Sequence, residues 1–123
     1  MPDAKGLPII WEVWDVNQVW SRSSTNPKQP NDPKEMSRPY LIIADPFSRA
    51  TATCCPLNEK THSPMMTEVE LPNGYEGFIT KDCLVICHEI YTLEKKYFTN
   101  YRGILRQGEI SKVEDALYEF LKI

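Results

Sequence analysis

Hydrophobic positions fall into short runs along most of the chain, and only its end carries a helical repeat. The run 9–16 (Ile-Ile-Trp-Glu-Val-Trp-Asp-Val) alternates from Ile10 onward. Ile10, Glu12, Trp14 and Val16 share one face of an extended chain, and Trp11, Val13 and Asp15 share the other. Its aromatic and β-branched centre predicts a strand. Residues 40–44 (Tyr-Leu-Ile-Ile-Ala) form a continuous apolar run, the pattern of a strand buried on both faces, and Asp45-Pro46 closes it with a turn. A third strand is expected over 51–57, stopped by Pro56, with a polar turn over 58–64. In 67–71 Val69 lies between Glu68 and Glu70, which predicts a strand with both acids outward, followed by a turn at Pro72-Asn73-Gly74. Residues 83–87 read as the most buried strand, 90–93 continue or follow it, and Tyr97-Phe98 with 101–105 lead to the end of the chain.

Two segments break this rhythm. Residues 21–37 hold three prolines and almost nothing to bury, so they predict a long polar loop, and loops of that length usually serve a function or lack order. At the end, Ile110, Val113, Leu117, Phe120 and Leu121 follow a helical spacing behind Ser111 and Glu114, which match a capping box. A helix over about 111–122 is predicted. Short strands plus one terminal helix give a mainly β, α+β fold, a small β-barrel closed by a helix. At 123 residues it is expected to form one domain over 1–123.

Composition narrows the functions. A net charge of −3 argues against bulk electrostatic binding of nucleic acid and requires a few well-placed cations for any such contact. No apolar run is long enough to span a bilayer and the start does not resemble a signal peptide, so a cytoplasmic chain with no membrane contact is expected. Cys54, Cys55, Cys83 and Cys87 are then reduced thiols. Their spacing lacks the close pairs of structural zinc sites, and adjacent Cys54 and Cys55 would face opposite ways in a strand, so no metal or other cofactor is expected.

The order of pieces resembles the MazF/PemK family of toxins. Residues 10–15 (Ile-Trp-Glu-Val-Trp-Asp) are similar to the family's first strand, and Arg38-Pro39 with 40–43 to its Arg-Pro and hydrophobic strand. Residues 55–58 (Cys-Pro-Leu-Asn) look like its strand end, 68–71 (Glu-Val-Glu-Leu) like its His-Val-Glu-Leu segment, and 85–94 like its last long motif. The match runs in order along most of the chain. It implies an SH3-like barrel and a metal-independent endoribonuclease cleaving single-stranded RNA, working as a homodimer and held in check by a cognate antitoxin protein. Three positions depart from the family pattern. Asn58 stands where many members have threonine, His88 where many have an acid, and Tyr91 where many have arginine.

Metal-independent RNA cleavage needs a base for the ribose 2′-hydroxyl, a cation on the phosphate and an acid for the leaving oxygen. Arg38 suits the phosphate through its two-pronged guanidinium, or it pairs with Asp32 or Glu35 of the preceding loop. His88 is the candidate base or acid, since histidine titrates near neutrality; a hydrogen-bonded, half-buried ring is the alternative. Glu89 is expected to face away from it. Asn58, Tyr91 and Thr92 are candidate substrate contacts, Tyr91 by stacking on a base, and Arg22 joins them from the polar loop. His62 reads as a solvated loop residue. The competing reading is a catalytically impaired RNA- or protein-binding module on the same barrel.

Overall fold

The computed structural model describes residues 8–17, 37–45 and 50–122. In order along the chain it has β1 (Glu12–Asn17), β2 (Ser37–Ala44), β3 (Thr51–Glu59), β4 (Glu68–Leu71), β5 (Cys83–Ile86), β6 (Tyr91–Glu94), β7 (Phe98–Ile104) and the helix α1 (Gln107–Leu121). Apart from Ser37, the predicted polar loop 21–37 lies outside the described residues, as do Arg22 and Pro46. The fold is mainly antiparallel sheet with one C-terminal helix, as the run lengths imply. The strand path is β4-β5-β3-β2-β1-β7, with β6 paired to β3, and it does not close between β4 and β7.

Strand β3 joins the parts. Its first half pairs with β2 and β6, and Leu57, Asn58 and Glu59 pair with β5. The strand therefore does not stop at Pro56, and Asn58 and Glu59 belong to it rather than to a turn. Proline lacks an amide donor, but Pro56 is the last residue matched to β2 and the β5 register begins at Leu57. The missing donor falls where the strand changes partner, a place where a sheet tolerates it.

Alternation along the strands builds two cores. Val13, Leu41, Cys55, Leu57, Val69, Leu71 and Val85 pack with Val113 and Ala116 of α1. Trp14, Val16, Tyr40, Ile42, Ala52, Cys54, Leu93 and Phe98 form the other. Cys54 and Cys55 thus enter different cores, as period two requires. Burial pushes the Cys54 thiol up to about 12, while contact with the Cys87 thiol and burial raise Cys55 further. These thiols are packing groups rather than nucleophiles.

Two local expectations are corrected. Glu68 is buried, not outward: its Oε1 lies 2.9 Å from His62 Nε2 and accepts the Met65 amide at 3.0 Å. His62, though exposed, is therefore tied to a buried carboxylate rather than being a free loop residue. The helix also begins earlier than its sequence signal. Gln107 is its first residue, Arg106 caps it with extended backbone and no side-chain bond, and Ser111 and Glu114 lie exposed inside it. A tertiary contact sets this start. The Tyr75 hydroxyl accepts the Arg106 amide at 2.9 Å and donates to Glu109 at 2.9 Å, leaving the carboxylate in the helix's electropositive first turn.

Candidate active site

Near the start of β2, alternation sends Arg38 and Tyr40 to one side of the strand and Pro39 and Leu41 to the other. The Arg38 guanidinium carbon lies 5.8 Å from the centre of the Tyr40 ring, a cation–π distance. Tyr40 in turn meets Tyr91 edge to face, with ring centres 6.0 Å apart at 82°. This contact follows from the register, because Tyr40 lies opposite Pro56, and two residues back along β3 Cys54 lies opposite Tyr91 of β6. The Tyr91 hydroxyl donates to Glu89 at 3.4 Å. Arg38, Tyr40, Tyr91 and Glu89 therefore gather at one surface, joined through the two tyrosines.

Charge and burial act together there. Burial raises the Tyr40 hydroxyl above its ordinary range against the pull of Arg38, and burial with Glu89 raises Tyr91. Both phenols stay protonated near neutrality. Among the described residues Arg38 forms no ion pair, while Asp32 and Glu35, its expected alternative partners, lie outside them. The Tyr91 side chain is 41% exposed, which leaves ring surface open for stacking. Thr92, next on β6, is exposed and holds Thr53 across the strands at 3.4 Å between hydroxyl oxygens.

Asn58 and His88 sit elsewhere. Asn58 lines a cavity of about 300 Å³ with Pro39, Phe78, Lys81 and Arg102. His88 lies in the turn after β5, with Nδ1 2.8 Å from the Thr67 hydroxyl and its ring centre 6.3 Å from Phe120. Its contacts face β4 and α1 rather than Arg38. Tyr40 and Glu89 are site residues that no local sequence motif singles out. Period two from Arg38 points to Tyr40, and the same alternation turns Glu89 away from His88.

The profile of the PemK-like, MazF-like toxins of type II toxin–antitoxin systems matches residues 17–121. The chain belongs to this family. No curated protein sequence matches it. Among solved structures, this MazF-like chain is similar to an endoribonuclease from Mycobacterial species, with a TM-score of 0.69 and 19% identity, covering 96% of this chain and 94% of that one. An endoribonuclease from Mycobacterial species in complex with its cognate antitoxin gives 0.68 at 18% identity, over 94% and 96% of the two chains. MazE–MazF from Deinococcus radiodurans gives 0.70 at 13%, over 96% and 98%. At these identities the likeness carries the fold, and the chemistry rests on the residues of this chain.

Among the described residues no group of three or more His, Cys, Asp or Glu side chains converges. No described helix is long and apolar enough to cross a membrane.

Proposed function

We propose that this MazF-like chain is a metal-independent endoribonuclease acting on single-stranded RNA, and that its reaction centre is the Arg38–Glu89 surface. The observation that carries this reading is a guanidinium without a carboxylate partner among the described residues, set beside two protonated phenols and one carboxylate. Arg38 binds the phosphate through paired N–H donors and offsets the charge that builds on its oxygens. Glu89 takes the proton of the ribose 2′-hydroxyl, whose oxygen attacks phosphorus. A 2′,3′-cyclic phosphate forms and the bond to the 5′-oxygen breaks. That oxygen takes a proton, for which the Tyr91 hydroxyl stands beside the carboxylate. The Tyr91 ring and Thr92 position the chain. Glu89, rather than His88, is assigned the base, because His88 is engaged with Thr67 and Phe120.

The family and the complexes of similar proteins support a cognate antitoxin protein as partner. A homodimer belongs to the same reading, and exposed Tyr118, Phe120 and Leu121 at the end of α1 offer apolar surface to a second copy.

The test is cleavage of an RNA panel in excess EDTA. Wild type should cut single-stranded sites and leave cyclic phosphate ends. Arg38→Ala should lose about 100-fold or more, the scale for removing a charge-stabilising donor. Glu89→Gln should lose activity with little effect on RNA binding. The alternative, an impaired RNA- or protein-binding module, is favoured by His88 facing away from Arg38. Salt-dependent RNA binding with no cutting by wild type would establish that alternative instead.

A further inference from the structure

One residue along β2 from Arg38, on the opposite side of the strand, Pro39 forms part of the wall of the 300 Å³ cavity. This volume lies at the lower end of ordinary small-ligand sites, about 300–1,000 Å³. Its wall is apolar: Val13, Leu57, Phe78 and Ile79 line it. Polar groups also converge on it from Asn58, Glu59, Lys81 and Arg102. Apolar walls with a few placed polar groups describe a ligand pocket rather than a packing defect.

The pocket is held in shape. The Phe78 ring rests directly on the backbone of Gly103, where a Cβ would come within 2.1 Å of the ring. The Phe78 carbonyl accepts Arg102 Nη2 at 3.3 Å, and Arg102 Nη1 reaches Asp15 at 3.1 and 3.3 Å. A guanidinium has five N–H donors, so these contacts leave some of them for a ligand. Glu59 and Lys81 are exposed and have no ion-pair partner among the described residues.

We propose that this cavity is a base-recognition subsite for one unstacked guanine of single-stranded RNA, a reading that rests on the proposed nuclease function. Phe78 and the apolar walls hold the flat ring. The Glu59 carboxylate accepts from the two adjacent N–H donors on guanine's pairing edge, an arrangement that no other standard base offers. Lys81 and Arg102 donate to O6 and N7, the usual cation contacts of guanine.

Titrating the isotope-labelled full chain with GMP, AMP, CMP and UMP tests this without requiring cleavage. GMP should shift the amide signals of Phe78, Thr80, Lys81 and Arg102, and should bind at least about tenfold more tightly than the other three, the discrimination expected of one good bidentate contact. Glu59→Gln, at an exposed position that leaves the fold intact, should abolish that preference, and Lys81→Ala should weaken GMP. No shifts at these amides, or equal affinity for all four nucleotides, would overturn the proposal. Mapping cleavage ends separates it from the activity. Cutting without cavity shifts defeats the subsite alone. GMP binding in the cavity by a chain that never cuts RNA supports the subsite and sinks the nuclease reading.

Discussion

Replacing Gly103 by alanine adds one methyl group, which would sit 2.1 Å from Cδ2, 2.4 Å from Cε2 and 2.7 Å from Cγ of Phe78. All three atoms belong to one ring, so the ring must leave its seat. Phe78 also meets Tyr75 edge to face, with centres 5.9 Å apart at 76°. Losing such an aromatic contact costs about 0.5–1.5 kcal/mol, and the overpacking itself costs about 1–3 kcal/mol. Alanine restricts the unfolded chain more than glycine, which returns about 0.5–1 kcal/mol. Gly103→Ala should therefore destabilise by about 1–3 kcal/mol in urea unfolding. The sharper expectation concerns sign. With Phe78→Ala already in place, the methyl group meets no ring, and the same substitution should become neutral or mildly stabilising. A double-mutant cycle measures this coupling directly. If Gly103→Ala costs the same in both backgrounds, the ring does not rest on Gly103 and the argument for a shaped cavity wall fails.

The remaining stability predictions come from charge. Lys95 is buried and its ammonium lies 2.6 Å from Asp45. Lys95→Ala should cost about 3 kcal/mol in urea, because it strands a shielded carboxylate, and Lys95→Met with Asp45→Leu should recover most of that loss; a single-variant cost below about 1 kcal/mol would show that water replaces the ammonium. For Glu68, burial opposes ionisation, but the Met65 amide and the His62 ring together hold the carboxyl below its usual range. A depressed carboxyl means the unfolded chain binds more protons. Its stabilisation is thus present above the unfolded value of about 4.3 and is lost as pH falls through the lower folded value. Glu68→Gln should flatten that acid-side loss in unfolding midpoints measured across the window, and an unchanged pH slope would refute the pairing.

Side-chain alternation made most of the strands legible. Once 10–16 and 40–44 are read at period two, Val13 and Leu41 must enter one core and Trp14 and Ile42 the other, as they do. The helix was legible from its stripe, but its start was not. Ser111 and Glu114 imitate a cap, whereas the cap that operates involves Tyr75, 31 residues from Arg106, a tertiary contact that no local pattern encodes. Pro56 misled for a related reason, since a proline signals the end of a strand only if its amide is needed, and the change of partner at Leu57 removes that need. At the candidate site Arg38 and Tyr91 were visible as residue types, but their meeting through Tyr40 depends on which strands become neighbours. His88 invited a catalytic role by its chemistry, and only the fold shows that its ring lies against Thr67 and Phe120.

At the cavity edge Asp15 sets how much of the positive charge of Arg102 is available to a ligand. The Asp15 carboxylate accepts from Arg102 and from Asn100 at 3.1 Å, so most of the Arg102 charge is balanced at the cavity edge. Asp15→Asn keeps the side-chain shape, moves the net charge from −3 to −2, and leaves that guanidinium uncompensated. The pair is partly solvated, so stability should fall by only about 1 kcal/mol. With Arg102 donating to O6 and N7 of a seated guanine, GMP should bind this variant more tightly, and the salt slope for RNA should change little, since a base contact displaces no phosphate counterion. A folded Asp15→Asn protein that binds GMP no more tightly than wild type would place Arg102 outside the reach of the base, and the guanine contact assigned to it would fall.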